Sequence, residues 1–245
     1  MKTNISLNEI AYGFRELYRA KFKDTDSPDI RLVKYWVQEV RAKLIKQKVD
    51  KLGMFQIDEV FVQSIPSTLE RVSSSQVSFA GLTLSTIDPD IYLYRTVRNI
   101  PQVIEKQGTA GVFTRIGPER SSLGYLILPY GQWLTAGYGA FNRQFVYATY
   151  LDRRIYLKSG NPSNLGSITA IEVRGVFQNP VEAALIANPT YTDDDDYPIS
   201  QAMVDDIYTI LMSKEFKATY AQFEDKTANA SNDLSDAGTR TIKQQ

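Results

Sequence analysis

Hydrophobic positions change period three times along the chain, and each change marks a new kind of structure. Leu7, Ile10, Ala11, Phe14, Leu17 and Tyr18 recur at helical spacing behind Ser6-Leu7-Asn8-Glu9. That tetrapeptide has the form of a capping box, in which Ser6 and Glu9 each satisfy a free backbone N–H. After the polar break Asp24-Thr25-Asp26-Ser27-Pro28, a second stripe runs through Ile30, Val33, Val37, Val40 and Leu44. Ser27 is the expected N-cap, with Pro28 at the first helical position and Asp29 close to the positive end of the dipole. The pattern predicts two antiparallel helices joined by a short loop. Gly53 ends it.

From residue 55 to about 175 the period shortens to that of strands. Segments at 55–58, 60–62, 68–72, 101–105, 112–116, 125–128, 144–151, 154–158 and 168–177 are apolar or alternating. Pro66 marks a bend or an edge. Gly117-Pro118, Pro129-Tyr130-Gly131 and Ser159-Gly160-Asn161-Pro162 are turn signals. Short strands separated by turns predict an antiparallel sandwich or barrel-like domain. A short helix is expected over Val181–Ile186. A long one follows Ser200, with Met203, Ile207, Ile210 and Leu211 on one face and Phe216, Tyr220 and Phe223 extending it. Beyond Asp225 large apolar residues are few, so a flexible tail is expected. The expected fold is α+β: a helical hairpin (1–52), a central β-rich domain (53–178), a C-terminal helical part of the body (179–225) and a tail (226–245) that orders on a partner.

Composition removes most chemistry. The 245 residues include no histidine and no cysteine. Serine–histidine triads, imidazole bases, thiol catalysis, disulfides and His or Cys zinc sites are therefore excluded. No S-x-x-K and no phosphate-binding G-x-x-x-x-G-K-[ST] occurs. Gly137-Tyr138-Gly139 lacks the third glycine of a dinucleotide fingerprint and reads as a turn. Asp58-Glu59 and Asp88/Asp90 are carboxylate pairs of the kind a glycosidase uses, but paired acids in turns are usually turn formers. The tyrosine- and tryptophan-rich middle reads as core or interface before it reads as a stacking platform for sugar or single strands. No catalytic, cofactor-binding or metal site is expected. No apolar run approaches the roughly 18 residues that cross a bilayer, and Met1–Ser6 lacks a signal peptide's apolar stretch, so intracellular synthesis is expected.

Charge changes the picture more. The net charge is zero, which argues against strong nonspecific DNA binding by the whole molecule. Residues 1–51 nevertheless hold 12 Lys and Arg against 7 acids, and residues 190–245 hold 5 against 11. Ends of opposite sign suit a protein that meets copies of itself or partners. The candidate contact residues are the basic stripe Arg31, Lys34, Arg41 and Lys48, the acidic run Asp193, Asp194, Asp195 and Asp196, and the late aromatics Phe216, Tyr220 and Phe223. The acidic run lacks an EF-hand's ligand spacing and glycine. It reads as a solvated loop, or as one that docks on a basic patch of another subunit.

Three stretches stand out: Asp29-Ile30-Arg31-Leu32-Val33-Lys34-Tyr35-Trp36-Val37 with Arg41-Ala42-Lys43-Leu44-Ile45-Lys46-Gln47, then Ile171-Glu172-Val173-Arg174-Gly175-Val176-Phe177 with Asn179-Pro180, and Asp195-Asp196-Tyr197-Pro198-Ile199-Ser200 followed by Met212-Ser213-Lys214-Glu215-Phe216. Together they resemble structural proteins of crAss-like tailed bacteriophages. The resemblance implies a noncatalytic head–tail connector or ring protein of the virion neck, made in the host cytoplasm. Its implied setting is a homo-oligomeric ring, expected to hold twelve copies. Its implied partners are the portal, the next ring or tail protein, and viral DNA passing through the channel without sequence-specific binding. No membrane partner is implied. The alternative reading is a β-rich carbohydrate-binding or tail-associated module.

Overall fold

The computed structural model describes residues 5–22, 28–52, 57–72, 92–105, 111–119, 121–137 and 139–213. Helices α1 (Leu7–Phe22) and α2 (Ile30–Leu52) pack on each other, as their stripes predict. The capping box forms reciprocally: Glu9 N–H donates to Ser6 Oγ at 3.1 Å, and Ser6 N–H donates to Glu9 Oε2 at 2.9 Å. The start of α2 differs from expectation. Asp29 caps it, its carboxylate accepting from Arg31 N–H at 3.0 Å and its carbonyl from Val33 N–H at 3.0 Å. The helix therefore opens at Ile30, and Pro28 lies outside it.

A 3-10 turn (Glu59–Phe61) stands where the sequence suggests a strand. It leads into a seven-stranded sheet: β1 (Gln63–Arg71), β2 (Tyr92–Thr96), β3 (Phe113–Pro118), β4 (Leu126–Ile127), β5 (Tyr147–Leu151), β6 (Arg154–Ser159) and β7 (Ala170–Gly175). The strand order is β3-β7-β1-β2-β6-β5-β4. The sheet is not wholly antiparallel, because β4 runs parallel to β5. The first and last strands nearly meet, Tyr125 N–H donating to Ile116 O at 2.7 Å, so the sheet is barrel-like and almost closed. Gly117 permits this approach: a Cβ there would lie 2.2 Å from the carbonyl oxygen of Leu123. Pro66 sits inside β1 rather than at a bend. There β1 pairs with β7 on one side, whereas β2 pairs only Leu69–Arg71, so the missing N–H breaks no described ladder bond.

Two elements escape the periodicity. Strand β2 was not expected, and α3 (Tyr130–Thr135) replaces a predicted turn. Residues 101–105 form no strand, although Val103 bridges Phe177. Helices α4 (Pro180–Ala187) and α5 (Gln201–Leu211) fall where predicted. Met212 caps α5. The proposed extension through Phe216, Tyr220 and Phe223, and the tail at 226–245, lie outside the described residues.

The described part has three cores. One joins α1, α2 and α5 around Phe14, Val37, Ile45 and Ile207, reaching Tyr197 and Ile199. A second lies within the sheet, around Ile65, Ile116, Leu157 and Val173, and takes in Ala183 of α4. The third gathers Trp133 of α3 with Leu93, Tyr147 and Tyr156.

Candidate assembly surface

The centre of the helical body is a charge. Arg41 is 0% exposed and has no carboxylate partner among the described residues. Its Nε donates to Pro198 O at 2.9 Å and one terminal nitrogen to Phe177 O at 3.1 Å. The guanidinium carbon lies 5.6 Å from the centroid of the Tyr197 ring. Burial pushes the Arg41 pKa down and the Tyr197 pKa up. Three segments distant in sequence (α2, the segment after β7 and the segment before α5) are thus held by one side chain. Arg41 therefore leaves the predicted surface stripe. The reason is visible in its position: Val33, Val37, 41, Ile45 and Val49 form one i+4 series, and its apolar members are all buried.

The remaining basic candidates stay near the surface. Arg31 is exposed. Lys34 reaches the acidic run of its own chain, its Nζ 2.6 Å from Asp193 Oδ2. Lys48 pairs with Asp58 at 2.7 Å, and its Nζ lies 5.5 Å from the centroid of the Phe61 ring. Asp193 thus meets the basic stripe of its own chain. Beyond Arg41, α2 also exposes Lys43 and Lys46, which form no ion pair among the described residues and flank a half-open groove of about 310 Å³.

The four aspartates diverge. Asp193 faces Lys34, and its carbonyl accepts Asn8 N–H at 3.1 Å. Asp194 accepts from Asn8 Nδ2 at 2.5 Å. Asp195 accepts from Thr192 N–H at 2.7 Å, and Asp196 bridges Ser6. The run is stitched to the start of α1 and leaves the carboxylates of Asp194, Asp195 and Asp196 on the surface. Among the described residues no group of acids has the arrangement of a metal site, and no described helix is long and apolar enough to cross a membrane. Asp58 and Glu59 are drawn apart, towards Lys48 and Arg174 respectively. Asp88 and Asp90 lie outside the described residues, as do Phe216, Tyr220 and Phe223.

The aromatic middle is mostly interior. Trp133, Tyr147 and Tyr156 are buried, and Trp133 Nε1 donates to Tyr147 O at 3.2 Å. Lys158 is buried beside them, with Nζ 2.9 Å from Leu134 O and 4.9 Å from the centroid of the Trp133 ring. Burial pulls its pKa down to about 8. A stacking platform loses these rings. Among the described residues the exposed aromatics are instead Phe141 and Phe145 in the turn before β5, with Tyr12 and Tyr35 on the hairpin. By composition Phe141 and Phe145 read as part of the strand region. Gly137 and Gly139 nearby were the available signal that the chain turns there.

A model of the phage tail ring protein 2 family, a crAss-phage family, matches residues 14–234. The chain belongs to this family. No curated protein matches it at a significant level. A crAss-like phage tail ring protein is a structural component of the virion and assembles with other copies and other virion proteins. Family membership agrees with the resemblance at the level of a crAss-like phage tail or ring structural protein.

Proposed function

We propose that the chain is a noncatalytic ring subunit of the virion neck that attaches to the portal, directly or through a neighbouring ring, and joins capsid to tail around the DNA channel. The family match along residues 14–234 carries this reading. A ring needs a heterologous contact, in which one patch meets a different patch on the next copy. The described surface supplies patches of opposite sign: Lys43 and Lys46 on α2, and the acidic edge of Asp194–Asp196 beside α1. The channel role asks only for a wall that DNA passes without sequence-specific binding. Twelve copies, matching a portal of the same symmetry, are the proposed stoichiometry.

Native mass spectrometry of the full chain with the candidate portal tests the placement. About twelve copies per portal support it. A chain that binds only tail proteins, with no copy reaching portal-containing complexes, overturns the connector placement and leaves a tail ring.

A further inference from the structure

Three neighbouring side chains in the helical body each carry a buried polar atom with no hydrogen-bond partner among the described residues. The atoms are Arg41 Nη2, Tyr191 Oη and Tyr197 Oη. Arg41 lies against the Tyr197 ring, its guanidinium carbon 5.6 Å from the centroid. Tyr191 is half-buried, and its hydroxyl is closed off from solvent. Tyr191 acts electrostatically on both other groups, and Arg41 acts on each phenol, so the three form one cluster. Two arms of the Arg41 fork are already engaged, Nε by Pro198 O and Nη1 by Phe177 O. Nη2 is the arm that remains, and it can only donate. Leaving a buried donor unmet is costly, and in protein interiors such groups are met by protein or by ordered water.

The surrounding charge decides what can meet these three. Asp193, Asp195 and Asp196 act on the Tyr191 phenol, and Asp193 acts on that of Tyr197. These carboxylates disfavour an anion, and the Arg41 guanidinium repels a metal cation. Burial pushes the pKa of both phenols up, to about 12 for Tyr191. Both are therefore neutral hydroxyls at neutral pH, able to donate or accept. One obligate donor and two hydroxyls suit a small neutral molecule that accepts once and donates twice. Water does so, and about three hydrogen bonds are usual for a buried water.

We propose that Arg41 Nη2, Tyr191 Oη and Tyr197 Oη hold one internal water molecule, which fastens both ends of the acidic run to α2. The water accepts from Arg41 and donates to the two hydroxyls. Tyr191 precedes the run and Tyr197 follows it, while Lys34 of the same helix takes Asp193 between them. Asn8 of α1 holds the loop from another side, through Asp193 O and Asp194. The water thus sets from inside the shape in which Asp194, Asp195 and Asp196 are presented at the surface. The site is independent of the ring-subunit reading.

A crystal structure of the full-length chain, with crystals soaked in bromide, reads the site directly. The expected result is one density peak hydrogen-bonded to all three atoms, without anomalous signal. Arg41 Nη2 bonded directly to either hydroxyl, or an anomalous bromide peak in the cluster, overturns the proposal. In solution, oxygen-17 relaxation dispersion counts long-lived internal waters. A full-length Tyr191→Phe, Tyr197→Phe double variant, with circular dichroism matching the unmodified chain, is expected to hold one fewer. Hydrogen exchange at residues 192–196 is expected to speed up by about tenfold in that variant, as local opening becomes easier. An unchanged water count overturns the site, and a lost water with unchanged exchange overturns the fastening.

Discussion

Arg41 and Tyr197 are bound together in the interior, the guanidinium carbon 5.6 Å from the ring centroid while Arg41 Nε donates to the next residue's carbonyl, Pro198 O, at 2.9 Å. This contact, with the bond to Phe177 O, locks α2 to the segment that carries the acidic run.

Arg41→Ala is expected to lower the unfolding free energy by about 3 kcal/mol, since it leaves two buried carbonyls without donors and opens a cavity. Arg41→Lys should recover only part of this, because one ammonium cannot serve both carbonyls with a planar fork. Urea unfolding checks both. Loss below about 1 kcal/mol for Arg41→Ala would show that the two segments are held without it.

The capping box gives a local prediction. Ser6→Ala removes the acceptor for Glu9 N–H and should cost about 1 kcal/mol. The measurement is again the urea midpoint, with hydrogen exchange at residues 7–10 rising in parallel.

Lys158 carries a pH signature. Its folded pKa lies near 8, below the ordinary 10.5, because burial disfavours the charged form. The unfolded chain therefore binds more protons between those values, and stability rises with pH across that window. The stability of the unmodified protein relative to Lys158→Met should increase as pH climbs from 8 towards 10.5. Parallel pH profiles for the two proteins would contradict the burial of a charged lysine.

Glu172 has the opposite sign. The hydrogen bond from Ser64 is the largest cause holding its carboxyl below the ordinary 4.5, and Arg115, with Nη1 2.6 Å from its Oε2, adds to this against the cost of burial. Its contribution is complete above pH 4.5 and is lost as pH falls through the lower folded value. Glu172→Gln should therefore erase part of the acid sensitivity below pH 4.5 while leaving the slope at higher pH unchanged. Acid titrations of unfolding free energy for the two proteins check this.

Much of the fold was legible because long periodic segments declare themselves. Leu7 to Phe14 and Val33 to Val49 show helical stripes, and six of the seven strands overlap alternating or apolar runs. Strand β2 did not, since Tyr92-Leu93-Tyr94-Arg95-Thr96 is short and follows a stretch rich in turn residues. Helix α3 hid behind Pro129-Tyr130-Gly131, which has the composition of a turn although Pro129 stands at the helix N-cap. The assembly surface was harder to read. By charge Arg41 reads as part of a surface stripe, while its i+4 spacing with Val37 and Ile45 places it inside. Asp193 reads as part of a solvated loop or of one that docks on another subunit, yet Lys34 lies within reach once α2 and the segment before α5 share a core. Phe141 was hidden by the opposite fault. Its exposure depends on Tyr147, Ser159 and Asn164 pinning the turn from three other places in the chain, and no local pattern records that.

The most direct test of the ring claim is a cryo-EM reconstruction of the intact virion, with the chain located by its fold. The expected result is a closed ring of identical copies around the axial channel between portal and tail, each copy meeting the next through two different patches. Copies placed elsewhere on the particle, or joined only as isolated two-fold pairs, would contradict it.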